Sequence, residues 1–238
     1  MKITYLYNSG FALQWPEHLV IIDYCKDTPG KGLSDGVIRS ADLQGFKYVT
    51  VLASHGHADH FNPCILEWAK ERRIHYVFGY DIAQKNLKTE ATYLRPGQSV
   101  SIGDLDITAY GSTDEGVSFH LRKRDFSIFH AGDLNNWHWQ EESTPQEIAE
   151  AGAWFKRELD VIRLHTLPLD IAFFPIDPRM KTDIYRGALQ FAEATHPTRL
   201  IPMHFGNQLP LTRKFINAIS PYSWLTCITN PGDTIEVK

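Results

Sequence analysis

Three imidazoles and a carboxylate fall within one short stretch, His55-Gly56-His57-Ala58-Asp59-His60, directly after the apolar run Tyr48-Val49-Thr50-Val51-Leu52. The run reads as a buried strand, so the fold must carry a dense polar cluster on the end of a core element. His55 and His57 are two apart, and at the extended end of a strand their side chains point the same way; Asp59 and His60 follow a turn and face a second point. Imidazole and carboxylate are ligands of divalent metals, so one loop offers donors to two cations. A solvated, His-rich surface turn is the plain alternative, and the ordered spacing behind a strand argues against it.

Three further strand ends carry polar residues. Phe126-Ser127-Ile128-Phe129-His130-Ala131-Gly132-Asp133 closes in Gly-Asp, Arg199-Leu200-Ile201-Pro202-Met203-His204 ends at a histidine, and His18-Leu19-Val20-Ile21-Ile22 runs into Asp23. On these motifs and their order the chain resembles the metallo-β-lactamase superfamily, whose metal motif reads His-x-His-x-Asp-His, with a later Gly-Asp and a C-terminal His. The closest likeness is to its lactonase-like and uncharacterised hydrolase branch, through His130-Ala131-Gly132-Asp133 and Ile201-Pro202-Met203-His204. The resemblance implies an α/β (α+β) fold, a four-layer αββα sandwich of two mixed sheets flanked by helices, formed by residues 1–238 as one domain with the metals at one edge.

By the same resemblance, Asp59, His60, His204 and Asp133 form one complete metal site, and His55, His57 and the other oxygen of Asp133 form a second. One or two divalent ions are implied, Zn²⁺ first, with Mn²⁺ or Fe²⁺ as alternatives. A water held between two such cations loses its proton near neutral pH and becomes the nucleophile. His57, Asp59 and Asp133 are the catalytic set, with Asp59 either a ligand or the orienter of that water. The chain departs from the family where another His normally completes the His55 and His57 site. The corresponding turn, Gly111-Ser112-Thr113-Asp114-Glu115-Gly116, has Asp114 and Glu115 as its first available ligands. Asp114 is the candidate replacement, which would broaden the metal choice, and an ordinary acidic turn is the alternative.

With 238 residues, 43% of them apolar, the chain can bury a large core within one domain. Its three cysteines, Cys25, Cys64 and Cys227, show no paired spacing, which speaks for a reducing compartment. Met1 to Tyr7 reads as a strand rather than a signal peptide, and no apolar run approaches a membrane span, so a cytoplasmic location is expected. A net charge of −4 with no basic block gives little hold on a phosphate backbone, which argues against nucleic acid as a partner. Arg122-Lys123-Arg124 reads as the solvated turn of a hairpin. Oligomeric state has no signal in the sequence.

Alternation predicts strands over residues 2–7, 11–15, 18–22, 48–52, 75–78, 99–102, 105–110, 116–122 and 125–130, then near 171–176 and 200–204. Asn62-Pro63 predicts a helix over Cys64–Lys70, and the capping box Thr144-Pro145-Gln146-Glu147 a longer one with Ile148, Phe155, Leu159 and Ile162 on one face. Helices are also predicted over 184–195 and 211–219.

For the substrate, Trp137-His138-Trp139 follows Asp133 and forms either a pocket wall or a core contact with His138 exposed. Arg179 is either a clamp for an anionic group or the partner of Asp177 or Asp183. These residues point to a hydrolase of a small, anionic ester, lactone or phosphodiester. Two other readings stand beside it. One is a redox diiron protein, disfavoured because that branch places Glu where His57 stands and couples to a flavin module. The other is a mononuclear or inactive metal-binding protein with a regulatory role.

Overall fold

The computed structural model describes residues 1–208, 226 and 230–237. Strands run β1 Lys2–Tyr7, β2 Gly10–Gln14, β3 His18–Ile22, β4 Tyr48–Ala53, β5 His75–Gly79, β6 Thr92–Leu94, β7 Ser99–Ile102, β8 Leu105–Tyr110, β9 Ser118–Lys123, β10 Phe126–His130, β11 Ile171–Pro175, β12 Arg199–Met203 and β13 Thr234–Glu236. The α-helices are α1 Ser40–Leu43, α2 Pro145–Thr166 and α3 Arg186–Thr195. One sheet has the order β13-β1-β2-β3-β4-β5-β6, the other β12-β11-β10-β9-β8-β7. Both are mixed: β3 to β6 are parallel beside antiparallel β1 and β2, and β10 to β12 are parallel beside antiparallel β7 to β9.

Continuous apolar runs in the central strands follow from burial on both faces. In β3, Val20 and Ile22 join the core between the sheets, while Leu19 and Ile21 join a second core with Leu43 of α1 and Ile65 and Ile82. In β11, the Phe173 ring lies 4.2 Å from Phe11 of the opposite sheet, and the Phe174 ring lies 4.8 Å from Phe191 of α3 and 6.2 Å from Phe155 of α2. Two sheets face to face with helical layers outside make the expected four-layer αββα sandwich. The capping box forms as the sequence predicts: Thr144 N donates to Glu147 Oε2 at 2.8 Å and Glu147 N to Thr144 Oγ1 at 3.3 Å.

Differences from the sequence reading are local. Pro63–Lys70 winds as a 3-10 helix, capped by Asn62 and burying only Ile65 fully. The segment packs Cys64, Leu66 and Trp68 beside Ile65 against the second core, and its tighter turns seat Trp68 against Tyr24 at 5.2 Å. Lys123 is not in the solvated turn. It ends β9 almost buried, pairs with Asp104 and lies under Trp15. The short edge strands β6 and β13 and helix α1 are additions, and the helix predicted over 211–219 and Cys227 lie outside the described residues. His18 and His120, which carry no motif, are core histidines held by Thr50 Oγ1 and Ser127 Oγ, each at 2.8 Å. Burial pushes both rings down to about 4, which keeps them neutral. No helix among the described residues is long and apolar enough to cross a membrane.

Candidate metal centre

The parallel strands of both sheets end at one edge, and the motif residues leave from those ends. Asp23 follows β3, the His55–His60 loop follows β4, Asp133 follows β10, Asp177 follows β11 and His204 follows β12. Two junctions use left-handed backbone, with φ of 47° at Asp23 and 63° at His204. For residues with a Cβ this conformation costs on the order of 1–3 kcal/mol, and it persists where surrounding bonds fix it. Asn8, itself left-handed at φ 53°, supplies several: its backbone O accepts from His204 N at 3.1 Å, its Oδ1 from Gly206 N at 3.1 Å, and its Nδ2 donates to Asp59 O at 3.3 Å.

The His55–His60 loop turns back on itself, with His60 N and Phe61 N both donating to His57 O, at 3.0 and 2.9 Å. Gly56 N donates to Asp81 Oδ2 at 2.6 Å, tying the loop to the end of β5. The ring atoms then converge. His55 Nε2 lies 3.1 Å from His57 Nδ1 and 3.5 Å from Asp133 Oδ2. The other oxygen, Asp133 Oδ1, lies 3.0 Å from His60 Nε2 and 3.3 Å from His204 Nε2. Asp59 Oδ2 closes that side at 3.4 Å from His204 Nε2 and 3.8 Å from His60 Nε2. Two sets of donors result, His55, His57 and Asp133 in one, Asp59, His60 and His204 in the other, with the Asp133 carboxylate facing both.

Each ring is held from behind. His60 Nδ1 donates to Asp23 Oδ2 at 2.7 Å, His204 Nδ1 faces Asp177 Oδ2 at 3.2 Å, His57 Nε2 faces Glu115 Oε2 at 3.5 Å, and His55 Nδ1 meets Ser54 Oγ at 3.0 Å. Ser54 is fixed in turn by Asp23, which accepts from its N at 2.7 Å and its Oγ at 2.8 Å. Outer partners of this kind set the tautomer and leave the inner nitrogen free to coordinate. Three buried inner atoms, His60 Nε2, His204 Nε2 and Asp133 Oδ1, make no hydrogen bond among the described residues. A buried polar atom without a partner costs about 1–3 kcal/mol, and three aimed at one point fit a divalent cation.

Electrostatics agree with that fit. Burial pushes the His60 and His204 rings down, but Asp133 with Asp23 beside His60, and Asp133 with Asp177 and Asp59 beside His204, reverse the sign; His204 is raised to about 9 and His60 well above its ordinary value. Burial likewise pushes Asp133 up, and His60 and His204 bring it far below the usual carboxylate range. The field at this point strongly favours positive charge. His55, in contrast, is pushed down to about 4 by burial and by His60, so it is neutral and able to coordinate.

Asp114 is exposed and gives no atom to either set. Its neighbour Glu115 reaches His57, but on the nitrogen that faces away from His55. Gly116 explains why this turn lies so close. At φ 71°, a Cβ there would stand 2.2 Å from Ser54 O and 2.4 Å from His55 Cβ. Gly116→Ala is therefore expected to displace His55, lowering stability by roughly 1–3 kcal/mol in urea unfolding and weakening Zn²⁺ binding; a variant with wild-type affinity would show that the contact is compliant.

Of the substrate candidates, Trp137, Trp139 and Arg179 line a cleft of about 190 Å³ with Thr113, Asp114 and Asp133. His138 does not. It is buried, its Nδ1 accepting from Gln140 N at 3.2 Å and its Nε2 lying 3.3 Å from Asp183 O, so it braces the loop instead of facing a ligand. Arg179 is paired with Asp177, its Nε 2.8 Å from Asp177 Oδ2. His130 is also a brace, between Ser9 O at 2.9 Å and Gly132 N at 3.2 Å. Sequence reasoning missed the parts played by Asp177, Asn8, Ser54 and Asp81. Asp177 had a signal, since it follows a strand parallel to the one that ends at His204.

Comparisons with known proteins bear on the whole arrangement. A UPF0173 metal-dependent hydrolase of Koribacter versatilis is 25% identical over 235 residues, covering 90% of this chain and 88% of its own length. The solved structure of Igni18, a metallo hydrolase of Ignicoccus hospitalis, aligns over 100% of this chain and 99% of its own, with TM-score 0.69 and 19% identity. CmlA, a diiron beta-hydroxylase of Streptomyces venezuelae, shares the fold at TM-score 0.69 and 12% identity over 99% of this chain and 54% of its own. Residues 2–204, from the first strand to the last candidate ligand, match the family described as the beta-lactamase superfamily domain, and the chain belongs to the metallo-β-lactamase superfamily.

Proposed function

We propose that this chain is a metal-dependent hydrolase acting on a small, anionic ester, lactone or phosphodiester. The observation that carries the reading is the Asp133 carboxylate, almost fully buried, with one oxygen toward His55 and the other toward His60 and His204. Asp59, His60, His204 and Asp133 would hold one ion, and His55, His57 and Asp133 a second. Zn²⁺, Mn²⁺ or Fe²⁺ bound there supplies Lewis acidity toward the substrate oxygen and lowers the pKa of water to about 7. The relative from Koribacter versatilis, whose name describes a metal-dependent hydrolase, supports the same class.

Protein groups divide the remaining work. Asp23, Asp177 and Ser54 hold the outer nitrogens of His60, His204 and His55, so that the inner nitrogens are the ones turned toward a bound ion. Asp59, 46% exposed and 3.4 Å from His204 Nε2, would either complete that set or orient the attacking water. Arg179, on the rim of the cleft, offers charge to an anionic substrate group. The unpaired thiols Cys25 and Cys64 support a reducing, cytoplasmic setting.

A mononuclear or non-catalytic reading is favoured by one observation, the unequal donor count: four residues surround the His60 side and three the His55 side. Metal analysis by plasma mass spectrometry on protein purified without added metal, run beside a screen of lactones and phosphodiesters, separates the readings. About two equivalents with turnover is the expected result. One equivalent without turnover selects the second reading, and none sinks both.

A further inference from the structure

We infer that the cleft beside Asp133 selects substrates in which a planar, aromatic or unsaturated ring carries the anionic group next to the bond that is cleaved. This deepens the hydrolase reading and rests on it. Trp137 and Trp139 stack with ring centroids 5.8 Å apart and an interplanar angle of 11°. Trp137 is fixed, its Nε1 donating to Asp133 O at 2.8 Å and its ring edge-on to His204 at 5.9 Å. The indole pair is thereby tied to the residue that faces both donor sets and to a candidate ligand.

Trp139 is held at φ 37°, a conformation that bulky side chains rarely take. Its carbonyl accepts from Glu142 N at 2.8 Å and Ser143 N at 2.9 Å, and buried His138 pins the next residue. Neither indole is buried, and both line the cleft. A loop strained and braced to keep two large rings only partly buried at a site mouth is difficult to explain as packing, since burying them fully would release both strain and apolar surface.

Arg179 stands on the same cleft. Its Nε and Nη2 bond Asp177, whereas Nη1 makes no hydrogen bond among the described residues, and the side chain is 59% exposed. One edge of the guanidinium is thus anchored on Asp177, and the residue lines the cleft. A ring stacked on an indole with an anionic substituent toward Nη1 would bring its scissile group to Asp133.

Isothermal titration calorimetry of the Zn²⁺-loaded protein with 1-naphthyl phosphate and cyclohexyl phosphate tests this, because the two share charge and any metal contact and differ in the flat ring. Naphthyl phosphate is expected to bind about fivefold to tenfold more tightly. In Trp139→Leu the ratio should fall to about one, and in Arg179→Met both phosphates should weaken while 1-naphthol is spared. Equal affinities in the unaltered protein, or a ratio unchanged in Trp139→Leu, would overturn the inference. A preserved ratio in a protein that turns nothing over would instead count against the hydrolase reading alone.

Discussion

Asp133→Asn is expected to reduce bound metal from about two equivalents to less than one and to lower turnover at least about a thousandfold. The substitution keeps volume and shape, so the buried site need not collapse. What changes is that one carboxylate oxygen becomes an amide NH₂. In either orientation that donor faces an imidazole nitrogen that must coordinate, His55 Nε2 on one side or His60 and His204 Nε2 on the other. The lost charge matters as much, since Asp133 is the largest favourable influence on the protonated forms of both His60 and His204. Removing it weakens the field that attracts a cation. Plasma mass spectrometry and initial rates on the same preparation measure both effects, and a variant with undiminished metal would exclude Asp133 as a ligand.

Much of this site was readable in the sequence because its candidate ligands sit at strand ends. Apolar runs such as Val49-Thr50-Val51-Leu52 and Phe173-Phe174 announce strands covered on both faces, and His55 to His60, Asp133 and His204 leave from such runs. The resemblance supplied their grouping, which periodicity alone does not contain. Less legible were the residues behind the ligands. Asp177 read as a partner for Arg179, and it is; that its carboxylate also backs His204 depends on β11 and β12 lying side by side. Asp81 reaches Gly56 only because β4 and β5 pair. His138 reads as part of a pocket wall because it follows Asp133 so closely, yet it is buried and bonded to Gln140 N and near Asp183 O. The acidic turn was half-read: its position next to the loop was inferred, but which carboxylate meets His57 is set by the close approach of Gly116 to Ser54 and His55.

The second large effect is expected at a residue that touches no metal. Asp23 is fully buried and accepts three bonds, from Ser54 N, Ser54 Oγ and His60 Nδ1. Burial pushes its carboxyl up, but the His60 ring and these bonds bring the net shift down, so its contribution to stability is present above the ordinary carboxylate range and is lost as pH falls below it. Asp23→Ala leaves those donors unanswered in the core and should lower unfolding free energy by roughly 3–5 kcal/mol, read from urea midpoints. Asp23→Asn separates packing from tautomer. Its oxygen still answers Ser54 N, but its NH₂ now faces His60 Nδ1, which must become an acceptor. The proton then moves to Nε2, the atom turned toward Asp133, and His60 no longer coordinates. Asp23→Asn should therefore retain more stability than Asp23→Ala and yet lose Zn²⁺ affinity by about 10- to 100-fold, the range for outer partners of metal-bound histidines. Equal metal affinity in Asp23→Asn and the unaltered protein would show that the backing carboxylate only fills space and does not set which nitrogen of His60 carries the proton.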